Sequence, residues 1–158
     1  MTRLENGQIF PSLQLPLVGG ATLSLPEDLD GSYGVVLVYR SAWCPYCNAQ
    51  LAAFGRAKES LEGAEIMVVA LSADDEPAGR ELIEKRRLNF PVAHSADVQK
   101  VAGALGSYVN DEPAYLQSTG FVLGPDAAIL TAVYSSGAIG RLIPEDVIGL
   151  VNHLKQQG

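Results

Sequence analysis

Cys44 and Cys47 are the two cysteines of this 158-residue sequence, set three positions apart in Trp43-Cys44-Pro45-Tyr46-Cys47. Thiol chemistry runs through the thiolate, and a free cysteine titrates at about pH 8.5, so a reactive cysteine needs surroundings that favour its anion. In a reducing compartment a disulfide between such neighbours is transient and catalytic rather than structural. It would also close too small a loop to add much stability through chain entropy. The spacing therefore points to a reactive pair. The blander readings are half of a zinc site and two inert buried thiols. Zinc would need further Cys or His ligands, and only His94 and His153 remain, far apart and without ligand spacing. No metal and no cofactor are expected.

The elements that must position the pair are legible on either side of it. Gly34-Val35-Val36-Leu37-Val38-Tyr39 is a continuous apolar run, as in a strand buried on both faces of a sheet. A helix pattern follows, with Cys47, Leu51 and Phe54 at i, i+4 and i+7 on one face. Cys44 then stands where a strand ends and a helix begins, and the free N–H groups and dipole of that first turn favour a thiolate. Pro45 suits an early helical position, where its missing N–H has no partner to lose. Cys47, on the apolar face, is expected to be the buried thiol and Cys44 the exposed one. On that division Cys44 attacks, and Cys47 resolves the resulting sulfenic acid or mixed disulfide.

The rest of the chain supplies more alternation. Leu13–Val18 and Ala21–Leu25 flank Gly19-Gly20 as a hairpin, with Pro16 marking an edge strand. Glu65–Leu71 reads as a second buried strand. A helix follows from an N-cap among Ser72 to Asp75 and runs to about Arg87, and Phe90–Ala93 is strand-like. Val98, Val101, Ala102 and Leu105 share a helix face that Gly106 ends. Phe121–Leu123 and Ala128–Tyr134 form a hairpin about Gly124-Pro125-Asp126, and a last helix opens at Pro144-Glu145-Asp146 with Val147, Leu150, Val151 and Leu154 on its apolar face. This order predicts an α/β fold: a three-layer α/β/α domain, residues 1–158, with a mixed sheet and an N-terminal β-hairpin extension.

Composition narrows the function classes. With 47% hydrophobic and 18% charged residues the chain has the make-up of a folded domain. A net charge of −7 argues against nucleic acid, which selects for basic patches. The one basic cluster, Lys85-Arg86-Arg87, reads as the solvated end of a helix. No apolar run nears the roughly 20 residues that span a bilayer, so no membrane partner is expected. Met1 to Asn6 shows no leader of signal-peptide length, which makes a cytoplasmic setting the expectation.

Tyr39-Arg40-Ser41-Ala42-Trp43-Cys44-Pro45-Tyr46-Cys47 resembles the active-site segment of peroxiredoxin-like proteins of the alkyl hydroperoxide reductase/thiol-specific antioxidant (redoxin) type. The likeness extends over most of the chain. It implies a thioredoxin-like fold and a thiol peroxidase that reduces hydrogen peroxide or alkyl hydroperoxides, restored by an external dithiol of thioredoxin- or glutaredoxin-like kind. Such proteins often associate, so a homodimer is compatible with it, although nothing in the sequence marks an interface. Ser41 matches the family's Thr or Ser three residues before the attacking Cys. Its Pro seven residues before is here Leu37, and its arginine before the late strand falls where Gln117-Ser118-Thr119-Gly120 stands.

A cation is wanted there because it stabilises the thiolate and polarises the peroxide. Arg40, held near Cys44 by connectivity, and Arg141, after the last strand, are the available substitutes. A surface loop arginine is an equal reading of Arg141. Trp43 either shields Cys44 or packs in the core, and Tyr108 and Tyr115 fall in a loop near the site. His94 reads as a loop histidine and His153 as a surface one. Two other readings stay open: a thioredoxin- or glutaredoxin-like reductase acting on a disulfide substrate, and a non-catalytic metal- or partner-binding module. Against the former, the Thr-Val-Pro of glutaredoxins is absent, and Val38 stands where thioredoxins bury an acid.

Overall fold

In the computed structural model, which describes residues 2–158, the chain opens with the expected hairpin of β1 (Leu13–Pro16) and β2 (Thr22–Leu25). Gly19 and Gly20 turn it with φ of 104° and 105°, a region that side chains with a Cβ rarely adopt. A 3₁₀ turn at Glu27–Leu29 leads to β3 (Tyr33–Val38), α1 (Pro45–Arg56), α2 (Lys58–Gly63), β4 (Ile66–Leu71), α3 (Glu76–Arg86) and β5 (Val92–Ala93). Then come α4 (Val98–Leu105), β6 (Val109–Asp111), β7 (Ala114–Leu116), β8 (Thr119–Leu123), β9 (Ile129–Tyr134) and α5 (Pro144–Gln157).

The main sheet has the order β5-β4-β3-β8-β9, parallel from β5 to β3 and antiparallel from β3 to β9, so it is mixed as predicted. Side chains of β3 alternate between two cores. Val36 and Val38 join the hairpin and Val101, Ala102 and Leu105 of α4 on one face. Val35 and Leu37 meet Leu51 and Phe54 of α1, Leu82 of α3, and Val147 and Val151 of α5 on the other. Burial on both faces is why β3 is an unbroken apolar run, and it gives the three layers.

Local signals account for most boundaries. The Asp75 side chain accepts from the Ala78 N–H at 3.0 Å to cap α3, and Gly106 ends α4 with φ 80°. Three details differ from the sequence reading. The helix after Cys47 breaks at Ala57 into α1 and α2. Leu154 is only half-buried and lies off the packed face of α5, where Val147 and Val151 are buried and Leu150 packs beside them. The segment holding Tyr115 is no loop: β6 and β7 pair as a small hairpin. Strands of three residues, Val-Asn-Asp and Ala-Tyr-Leu, are too short and polar to show a period-two pattern.

Candidate active site

β3 ends at Val38, and the next residues carry the chain across the top of the sheet into α1. Cys44 is the N-cap of that helix, with φ −86° and ψ 111°, and Pro45 opens its first turn. Its sulfur takes the acceptor role usual for a Ser or Asp cap: Cys44 Sγ receives the Cys47 N–H at 3.3 Å. The cap geometry thus holds one cysteine against the other's backbone. Cys47 packs inward with Leu51 and Phe54, as the spacing predicted.

The expectation of an exposed Cys44 is corrected. Both cysteines have 0% of their surface accessible, although far less protein surrounds Cys44 than Cys47. Two arginines lie against the sulfurs, one four residues before Cys44 and one 97 residues after it. Arg40 places Nη1 3.7 Å from Cys44 Sγ, and Arg141 places Nη2 3.6 Å from Cys44 Sγ and 3.1 Å from Cys47 Sγ. The Arg40 backbone N–H also points at Cys47 Sγ, at 3.3 Å. Of the two readings of Arg141, the surface loop one therefore fails, and the guanidinium lies against the thiols.

Each arginine is held in place by neutral acceptors. Arg40 donates through Nε to Gln117 Oε1 at 3.0 Å and through Nη2 to the Tyr115 hydroxyl at 2.9 Å. Arg141 donates from Nε and Nη2 to the Ala138 carbonyl, and from Nη1 to Ser118 Oγ at 2.8 Å and Gln50 Oε1 at 3.1 Å. Among the described residues neither arginine forms an ion pair with a carboxylate. Two uncompensated cations therefore face two thiols.

The consequence is a split in acidity. Burial pushes the Cys44 thiol up, but it is outweighed by hydrogen bonds from the Cys47 thiol and N–H, by Arg40 and by the charge of Arg141, so Cys44 falls below the usual cysteine range. Cys47 moves the other way. Deeper burial and donation to Cys44 push it up to about 11, only partly offset by the Arg40 N–H and Arg141. Cys44 is therefore the more acidic of the two thiols and Cys47 the less.

The loop before Cys44 is braced by Asp74. Its carboxylate accepts from Ser41 Oγ at 2.6 Å and from the Ala42 N–H at 2.8 Å, while the Cys44 N–H donates to the Ser41 carbonyl at 3.1 Å. The Ser41 hydroxyl is thus spent on Asp74. Trp43 is 56% exposed, which removes the core-packing alternative; its ring meets Tyr115 edge-on at 5.1 Å and lies 5.0 Å from the Arg40 guanidinium. Beside Arg141 runs an apolar groove of about 330 Å³, lined by Tyr46, Ala53, Ile139, Leu142 and Ile143.

Asp74, Gln50, Tyr115, Gln117 and Ser118 were not singled out as site residues from the sequence. The signal for Gln117 and Ser118 was their position, where the resemblance places an arginine; Asp74 showed only as an N-cap candidate. His94 contacts Ser95 Oγ at 2.7 Å and Glu76, His153 contacts Gln157, and Tyr108 stacks under Arg3, so none of the three joins the site.

Comparison with known proteins places the chain in a family and a fold. The AhpC/TSA family pattern matches residues 6–131. A protein of Treponema denticola named peroxiredoxin is 26% identical over 147 residues, spanning 89% of this chain and 69% of its own. Among solved structures, the peroxidoxin BcpB of Mycobacterium tuberculosis superposes with a TM-score of 0.84 at 19% identity, over 96% of this chain and 99% of that one. AhpC of the same organism gives 0.83 at 19% identity, over 99% and 96%. At that identity the two structures speak for the shared fold.

Proposed function

The chain belongs to the AhpC/TSA family and is a thiol-dependent peroxidase, and on that footing we propose that Cys44 is its attacking sulfur and Cys47 its resolving one. The observation that carries the assignment is the Arg40 guanidinium, which reaches Cys44 Sγ at 3.7 Å and meets Cys47 only through its backbone N–H, with Arg141 also 3.6 Å from Cys44 Sγ. They favour the thiolate there and offer donors to the oxygens of an incoming peroxide. Cys44 attacks one peroxide oxygen, the O–O bond breaks, and the other oxygen leaves with a proton as water or alcohol. Cys47 then displaces hydroxide from the sulfenic acid, closing the Cys44–Cys47 disulfide, and an external dithiol of thioredoxin- or glutaredoxin-like kind reopens it.

The apolar groove beside Arg141 supports alkyl hydroperoxides as substrates alongside hydrogen peroxide. Among the described residues no helix is long and apolar enough to cross a membrane. A cytoplasmic setting, where thiols are kept reduced, suits the cycle. The test is stopped-flow oxidation of the reduced protein by hydrogen peroxide. A second-order rate orders of magnitude above a free thiol's is expected; sluggish oxidation with rapid reduction of insulin disulfides would instead make the protein a disulfide reductase.

A further inference from the structure

Resting on Cys44 as attacker and Cys47 as resolver, we propose that the two arginines are divided between the two sulfurs. Arg141 stabilises Cys47 as a thiolate whenever the Cys44–Cys47 bond is made or broken, while Arg40 serves the reaction of Cys44 with peroxide.

The distances make the division. Arg141 Nη2 is closer to Cys47 Sγ, at 3.1 Å, than to Cys44 Sγ, at 3.6 Å. The Arg40 guanidinium reaches Cys44 Sγ, whereas its link to Cys47 is through the backbone N–H. The anchoring follows the same split. Besides Ser118 Oγ and the Ala138 carbonyl, Arg141 is held by Gln50, three residues after Cys47 on α1, which ties it to the helix in which the resolving sulfur is packed. Arg40 is fixed by Tyr115 and Gln117, outside that helix. Among the described residues neither guanidinium has a carboxylate partner, which keeps their charge available to sulfur.

The chemistry needs such a partner for Cys47 twice. In the resolving step the Cys47 thiol gives its proton to solvent, its sulfur attacks Cys44 sulfenic acid, the S–S bond forms, and hydroxide leaves as water after taking a proton. In the reducing step a thiolate of the external dithiol attacks Cys44 Sγ, the less deeply covered sulfur, and Cys47 leaves as a thiolate. The dithiol's second sulfur then releases Cys44, and two electrons have passed from the dithiol to the protein disulfide. Burial in an apolar core opposes a Cys47 anion in both steps. A guanidinium at hydrogen-bond distance offsets part of that penalty and makes Cys47 a better leaving group.

Trp43, the one tryptophan of the chain, adjoins Cys44 and reports both steps by fluorescence. Stopped-flow oxidation of the reduced protein is expected to show a phase whose rate scales with hydrogen peroxide, then a peroxide-independent phase for disulfide closure. R141Q is expected to slow the second phase at least about tenfold more than the first, and R40Q to reverse that ratio. The half-maximal pH of the second phase rises in R141Q; a merely structural defect would lower its plateau without moving it. R141K, which keeps the charge and loses the fork, shows the same ordering with a smaller ratio and carries the test if R141Q does not fold. Equal or reversed ratios in R141Q and R40Q overturn the division. The underlying reading is checked apart from it: C47S must keep the first phase and lose the second, and loss of both in C47S overturns the cysteine roles themselves.

Discussion

Gln117 and Arg40 stand 77 positions apart, yet the Gln117 side-chain carbonyl accepts a hydrogen bond from Arg40 Nε at 3.0 Å. Gln117 occupies the place where the family resemblance leads one to look for an arginine. One of the two cations at Cys44 comes instead from the residue just before Ser41, and the glutamine orients it. Tyr115 completes the cradle on the other side of the guanidinium.

Replacing Gln117 with leucine or Tyr115 with phenylalanine removes one acceptor each from Arg40. A hydrogen bond to a charged group is worth about 1.5–3 kcal/mol, and part of that is transmitted to the sulfur, so the peroxide rate should fall about tenfold in either variant. The Cys44 titration midpoint should move up toward the ordinary thiol value. Ultraviolet thiolate absorbance against pH measures the shift, and an unchanged midpoint would show that the cradle does not matter.

Peroxide consumption should rise with pH and level off below the ordinary cysteine range, because the Cys44 pKa is depressed. In R40Q the plateau should begin at higher pH. Rate constants with hydrogen peroxide across the pH range, for the two proteins side by side, give the comparison.

The two thiols also predict opposite effects on the stability of the reduced protein. Cys44 has a lowered folded pKa, so its contribution is present above the ordinary thiol pKa and is lost as pH falls through the folded value. Cys47 has a raised one. Its contribution is full below the ordinary value and is lost as pH rises toward about 11. Urea unfolding of the reduced protein should therefore show a loss between about pH 8.5 and that value which C47A lacks.

Cys44→Ser should abolish peroxide consumption. Cys47→Ser should complete one turnover and stop at the sulfenic acid, detectable by mass spectrometry after dimedone trapping. Identical behaviour of the two variants would remove the distinction between attacker and resolver.

Asp74→Ala should destabilise the fold by about 2–4 kcal/mol, since it strips charge-assisted partners from the Ser41 hydroxyl and the Ala42 N–H. Asp74→Asn keeps one acceptor and should cost about half as much. Peroxidase activity at saturating denaturant-free conditions should fall with the brace, as the loop that sets Arg40 and Cys44 loosens. Urea midpoints and peroxide rates on both variants test this together.

Local sequence determined the reactive pair, the helix cap it sits on and the alternation that makes a three-layer fold. Those features follow from contacts within one turn or one strand: the Cys-x-x-Cys spacing, Pro45 at the helix start, and Val35 to Val38 filling both faces of β3. The inward orientation of Cys47 was legible for the same reason, from Leu51 and Phe54. The environment of the sulfurs was not legible in this way. The approach of Arg141 to Cys44, the orientation of Arg40 by Tyr115 and Gln117, and the engagement of Ser41 by Asp74 depend on side chains 33 to 97 residues away in sequence. Short, polar β6 and β7 gave no periodic signal, so Tyr115 looked like a loop residue until pairing brought it under Arg40. Spacing specifies which groups share a helix turn; only the packing of segments distant in sequence around the Cys44 turn decides how the charges are held at the thiols, and hence which sulfur is the more acidic.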